Sequence, residues 1–148
     1  LDDDQGRLMR EIGKEFGSTT GRPRRCGWLD LPALKYSVMI NGVTHLLMMK
    51  ADVLNQFDEI KICTGYKLSN GTQTDKLPYD MVHEQVTPVF TTMKGWNKDL
   101  RDIPSFDTLP IEAKNYIEFI EKEVGRPVAM VSVGPDRTQT LIKKELLF

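Results

Sequence analysis

Twelve consecutive residues concentrate the groups that hold an anion: Gly17, Ser18, Thr19, Thr20, Gly21, Arg22, Pro23, Arg24, Arg25, Cys26, Gly27 and Trp28. No acidic side chain interrupts the chain between Glu15 and Asp30. Arginine presents a planar fork that grips carboxylate or phosphate at two points, which an ammonium group cannot do. Ser18, Thr19 and Thr20 add hydroxyls, while Gly17 and Gly21 allow positive φ and let backbone N–H groups approach a ligand. A solvated basic loop is the plain alternative, because runs of charge usually face water. Two shorter stretches also carry chemistry. Lys50, Ala51 and Asp52 close an apolar run, and Ser132, Val133, Gly134, Pro135, Asp136 and Arg137 form a glycine turn after another. In α/β architectures ligands gather beyond the carboxyl ends of strands, so both places are candidate binding points. For Lys50 and Asp52, a surface ion pair stands as the alternative.

The elements that must position these residues follow from periodicity. Leu8, Met9, Ile12 and Phe16 recur at helical spacing over residues 3–16, with acidic residues at the front and Gly17 behind. This helix delivers the arginine loop, and Leu8, Ile12 and Phe16 are expected to pack against the body. Asp30 can cap and Pro32 can open a second helix, with Leu31, Leu34 and Val38 on one face. Trp28 is expected to anchor the loop's exit by packing. Residues 45–52 predict a buried strand whose alternation puts Lys50 and Asp52 on one side. Residues 59–66 alternate polar and apolar, and Ser69, Asn70 and Gly71 signal a hairpin returning through residues 72–74. Residues 86–92 make a further strand, and 94–110 a long surface connection. The clearest helix opens at Pro110 and Ile111, stripes Ala113, Tyr116, Ile117, Ile120 and Val124, and stops at Gly125. Residues 127–133 predict a buried strand, and Leu141, Ile142 and residues 146–148 an edge strand. The reading is an α+β chain: a mixed sheet with β-hairpin strands and about three helices.

Composition narrows the function classes. A chain of 148 residues suits a single domain, 1–148. Its net charge of -1 supplies no global field for nucleic acid or anionic lipid, so anion binding must be local. Two cysteines, Cys26 and Cys63, are too few for a disulfide scaffold and fit a reducing compartment, so a cytoplasmic protein is expected. No run of 18 apolar residues suggests a membrane span, and the start at Leu1, Asp2, Asp3 is unlike a signal peptide. Opening on leucine rather than methionine, the sequence reads as a piece of something longer. His45 and His83 have no catalytic partner in sequence, and no phosphate-loop lysine, serine elbow or paired metal carboxylates occur. On residues alone the chain binds an anion and carries no complete catalytic apparatus.

The block Glu15, Phe16, Gly17 through Leu29 and Asp30, then Lys50, Ala51, Asp52, Val53 and Leu54, resembles the adenylosuccinate synthetase family. Ile62 to Tyr66, Pro88, Val89, Phe90, Gly95, Trp96 and Val131 to Arg137 extend the resemblance in order across nearly the whole chain. It is to the C-terminal part of that enzyme only. The family joins IMP to L-aspartate with GTP as phosphoryl donor and Mg2+ as cofactor, through a 6-phosphoryl-IMP intermediate, and its members are homodimers. The resemblance implies that the phosphate loop, the catalytic base and histidine, and the magnesium ligands lie upstream, leaving no catalytic residue here. Such a fragment is expected to be inactive alone. It further implies that Ser18, Thr19, Thr20, Gly21, Arg22, Pro23 and Arg24 form a mobile aspartate-binding loop, with Arg22 also reaching IMP and Arg24 reaching GTP. Lys50, Ala51, Asp52, Ser132, Val133 and Gly134 would then form the guanine site. The Asp52 carboxylate can accept from both N1–H and the 2-amino group of guanine, a pair that adenine does not offer. Ala51 stands where many members carry leucine. The competing reading is a non-catalytic module gripping RNA or another polyanion through the arginine loop, but it lacks the interleaved aromatics and basic excess of such modules.

Overall fold

The computed structural model describes residues 1–143, so the expectation for residues 146–148 lies outside the described residues. Among the described residues three α-helices, α1 (Asp4–Ile12), α2 (Leu31–Asn41) and α3 (Ile111–Val124), join seven strands: β1 (Leu29–Asp30), β2 (Leu46–Met48), β3 (Glu59–Lys67), β4 (Gln73–Thr74), β5 (Thr87–Lys94), β6 (Val128–Ser132) and β7 (Thr140–Ile142). The fold is α+β, and its mixed strands divide between two sheets.

β3 organises the larger sheet. It pairs antiparallel with β5 from Glu59 opposite Lys94 to Lys67 opposite Thr87, which occupies one edge along its whole length. The other edge is shared: β1 runs parallel to Ile62 and Cys63, and β4 antiparallel to Tyr66 and Lys67. The β3–β4 turn closes through Leu68 N–H to the Thr72 carbonyl (2.8 Å), with Gly71 at φ 84°. The predicted hairpin therefore forms at the predicted residues. In the smaller sheet β6 lies between parallel β2 and antiparallel β7.

One core cluster joins both sheets and α3, with Ile60, Ile62, Ile120, Val128, Val131 and Val133 almost wholly excluded from water. Each such side chain is worth about 1.5–3 kcal/mol relative to exposure. Along the predicted stripe of α3, Ala113, Tyr116, Ile117 and Ile120 are buried and Val124 is half-buried, and Gly125 closes the helix in the left-handed region. In α2 the Asp30 carboxylate accepts from Ala33 N–H, and its other oxygen accepts from the Tyr66 hydroxyl at 2.5 Å. One side chain thus caps the helix and fastens it to β3. Burial, and then this bond, push the Tyr66 phenol above its ordinary pKa. Trp28 packs edge-on against Phe57 at 5.4 Å between ring centroids, as a packing anchor should.

Three expectations need correction. α1 ends at Ile12, so Phe16 leaves the helical face, forms a bridge with Pro23 and is exposed together with Leu8; Met9 is the buried anchor instead. The run at 45–52 is a short edge strand rather than a buried one, with Leu47 59% exposed. Its extended backbone stops before Lys50, which adopts φ 61°, and Ala51–Leu54 coil into a 3-10 turn.

Gly95 marks a close approach. It ends β5, where its N–H donates to the Asp58 carbonyl at 2.7 Å, and a Cβ at this position would collide with the carbonyl oxygen of Phe57. The Gly95→Ala variant is expected to lose about 1–3 kcal/mol of stability, the usual cost of forced overpacking. Urea unfolding should show a lower midpoint at unchanged slope. A variant as stable as the parent would show that this strand end can move aside.

Candidate functional site

The sharp turn at Lys50 builds the site. With Lys50 in the left-handed region, uncommon for a side chain with a Cβ, the chain leaves β2 and winds directly into the 3-10 turn that carries Asp52. Lys50 and Asp52 then both line a cleft of about 660 Å³. They share it because of this turn, and strand alternation has no part in it. Gly134, 82 positions further on from Asp52, lines the same cleft, as do Asn97, Lys98 and Arg101. The sequence therefore pointed to three residues of one site from two distant stretches.

Within the glycine turn the side chains divide their roles. Val133 is fully buried, and the Ser132 hydroxyl donates to the Gly134 carbonyl at 3.1 Å, so both hold the turn from the core side. Ala51 is likewise buried. Of these residues Gly134 lines the cleft. Gln139 packs across it: a Cβ on Gly134 would strike the Gln139 side chain, whose Oε1 accepts from Asp136 N–H at 3.1 Å. Its Nε2 donates to the Arg101 carbonyl at 3.4 Å, which ties the glycine turn to the opposite wall.

That opposite wall, residues 97–101, belongs to the segment expected to be a surface connection. Asn97 sits at φ 43° and donates from its amide to Asp58. The Asp99 carboxylate receives the Arg101 backbone N–H and guanidinium, whose hydrogen bonds pull its pKa down to about 2. Asp99, by hydrogen bonding and charge, and then Asp102 and Asp52, through space, hold Arg101 more firmly charged than usual. The only sequence signal for this wall was the Gly95, Trp96, Asn97 turn.

The arginine loop stands beside the cleft. Its base is closed by Gly17 N–H to the Arg22 carbonyl (2.9 Å) and by Gly21 N–H back to the Gly17 carbonyl (2.8 Å), with Gly21 at φ 65°. Ser18, Thr19, Thr20, Arg22, Pro23 and Arg24 are all exposed, and Gly17, Thr20, Arg22, Pro23, Arg24 and Arg25 line a shallow concavity of about 440 Å³. Arg10 Nε donates to the Arg24 carbonyl at 2.6 Å and steadies the loop's return.

Glu15 was quoted in the sequence motif without a role, and the structure gives it a central place. Its Oε2 accepts from Arg24 Nη1 at 2.9 Å, and its Oε1 accepts from Lys50 Nζ, which also donates to the Gly13 carbonyl at 2.6 Å. The hydrogen bond from Lys50 first, and that from Arg24 second, hold the Glu15 carboxyl below the ordinary glutamate range. A single carboxylate thus spans the loop and the cleft. His45 and His83 are exposed and stand outside both concavities, His83 against Asp80. Among the described residues no three His, Cys, Asp or Glu side chains gather as a set that fits a metal ion.

An arginine-lined loop thus stands beside a Lys–Asp–Gly cleft on an α+β chain. Residues 1–141 match the family described as adenylosuccinate synthetase. The chain is 62% identical over 143 residues to the adenylosuccinate synthetase of Cytophaga hutchinsonii and 57% identical over 141 residues to that of Flavobacterium psychrophilum. These alignments cover 97% and 95% of the chain and 33% of each relative. A solved structure described as the fully ligated adenylosuccinate synthetase from Plasmodium falciparum superposes with a TM-score of 0.90 at 38% identity, over 97% of this chain and 35% of that one. The chain belongs to the adenylosuccinate synthetase family. It spans about a third of the length of the relatives it matches.

Because the folded-state pKa of Glu15 is depressed, its bonds to Lys50 and Arg24 contribute fully above the ordinary carboxylate range. They are lost as pH falls through the lowered value. Carbon-13 NMR titration of the Glu15 carboxyl should give a midpoint below 4.5, and Lys50→Met should raise it. A midpoint at or above 4.5 in the parent chain would show that the bridge does not persist in solution.

Proposed function

We propose that this chain is the substrate- and GTP-binding C-terminal region of an adenylosuccinate synthase. In this reading the whole enzyme is a GTP-dependent ligase that converts IMP, L-aspartate and GTP to adenylosuccinate, GDP and phosphate in purine biosynthesis, on the route to AMP. The observation that carries the proposal is the convergence of Lys50, Asp52 and Gly134 on one cleft of about 660 Å³, within the usual range for a small-molecule pocket.

Each residue has work suited to its chemistry. Asp52 accepts from the two adjacent N–H donors of guanine and so selects GTP over ATP. A pocket built around such a pair discriminates strongly, because the wrong base leaves a polar group unpaired. Lys50 lays its stem along the purine face and keeps its charge at the rim. Gly134 brings main chain against the base where a side chain would intrude, with Ser132 and Val133 holding the turn and Ala51 packing beneath. Arg22 and Arg24, with the hydroxyls of Ser18, Thr19 and Thr20 and the turn at Gly21 and Pro23, bind the carboxylates of aspartate. Arg22 also meets IMP and Arg24 also meets GTP. Closure of this loop excludes water from the phosphorylated intermediate. Magnesium would be held by residues outside this chain, as would the catalytic base. The reading includes a cytoplasmic homodimer, which the family resemblance supports.

Calorimetric titration of this chain with GDP and with ADP tests the cleft. GDP is expected to bind at least about tenfold more tightly, a difference of about 1.4 kcal/mol, and Asp52→Asn should abolish the preference. Equal affinities, or a preference that survives Asp52→Asn, would overturn the assignment of the base site. Binding of neither nucleotide would mean that the cleft needs groups beyond this chain to hold one.

A further inference from the structure

Arg24 and Lys50 come from different elements, yet both end on Glu15: Arg24 Nη1 on one carboxylate oxygen and Lys50 Nζ on the other. The backbone of Glu15 is fixed as well, to the arginine loop and to α1. Its carbonyl accepts from Arg24 N–H at 3.0 Å, and its N–H donates to the Arg10 carbonyl at 2.8 Å, at the end of α1. The bond from Lys50 Nζ to the Gly13 carbonyl keeps the lysine on the same short segment. We infer that Glu15 is a positioning residue that couples the arginine loop to the Lys50–Asp52 cleft, so that occupancy of one site is felt at the other. The inference deepens the nucleotide reading above and rests on it for its functional meaning.

The geometry leaves both cations usable. A guanidinium has five N–H donors and an ammonium three, so one bond from Arg24 and two from Lys50 do not exhaust either. Glu15 therefore aims the two groups without replacing a ligand. Its two oxygens are shared, so a ligand that pulls Arg24 outward or presses Lys50 against the cleft wall must move the carboxylate between them. Any such coupling acts in both directions, because linkage between two binding events is reciprocal. The length of the side chain matters as well as its charge. Aspartate, one methylene shorter, keeps the charge and should fail to span both partners.

Hydrogen exchange in the ligand-free chain tests the coupling directly. The amides of Gly21 and Arg24, bonded to the carbonyls of Gly17 and Glu15, report on the loop, and neither residue touches Lys50 through a hydrogen bond of its own. Lys50→Met and Glu15→Gln are each expected to accelerate exchange at both amides about threefold, within the range of exposed ion pairs. The double variant should do no more than Glu15→Gln alone, and Glu15→Asp should resemble Glu15→Gln. Exchange unchanged by Lys50→Met, or effects that multiply in the double variant, would overturn the coupling. The GDP and ADP titrations of the same samples separate the two claims. Non-additive exchange with GDP and ADP bound equally tightly would sink the nucleotide reading and leave the coupling standing, while guanine preference with independent effects would do the reverse.

Discussion

The structure depends most on β3 having strand partners on both of its edges. A strand with partners on both edges satisfies more of its backbone groups than an edge strand does, so its middle can lie in the core. β5 takes one edge, and β1 and β4 divide the other. From that arrangement much else follows. β1 fixes the start of α2 through Asp30, whose second oxygen is held by Tyr66 on β3 itself. The far end of β5 meets Phe57 so closely that only glycine fits, and the next residue, Trp96, donates to Asn55 at 2.9 Å beside the 3-10 turn. The floor of the cleft is thus set by contacts that begin at a strand with no direct part in binding.

What the sequence made legible was local. The cap at Asp30 with Pro32, the stripe and glycine stop of α3, and the Ser69–Asn70–Gly71 turn each depend on residues within a few positions of one another, and each formed where expected. Pairings that join distant segments were not legible. Nothing in Leu29 and Asp30 announces a parallel partner at Ile62 and Cys63, nor in Leu46 a parallel partner at Val128. The division into two sheets follows from those pairings. Leu47 misled because hydrophobicity does not distinguish a buried strand from an exposed edge.

The site divides in the same way. Lys50, Asp52 and Gly134 were legible as residue types, and their meeting place was not. The left-handed turn at Lys50 is a tertiary effect: a lysine carries no sequence signal for positive φ. Glu15 escaped notice because an acidic residue beside a basic loop reads as an ordinary boundary, although its two oxygens prove to reach two different elements. Residues 97–101 escaped because scattered charge and proline resemble any exposed connection.

The glutamine behind the glycine turn has a mechanical consequence. Gln139 reaches from Asp136 N–H to the Arg101 carbonyl and rests on the space that a side chain at Gly134 would need. The two walls are therefore linked at the back through a single side chain. Such a link would lower the free energy that a ligand of this cleft had to spend on ordering its walls. At the rim the half-exposed ends of Lys50 and Arg24 share one carboxylate, so the link behind the cleft is matched by a second, charged link in front of it.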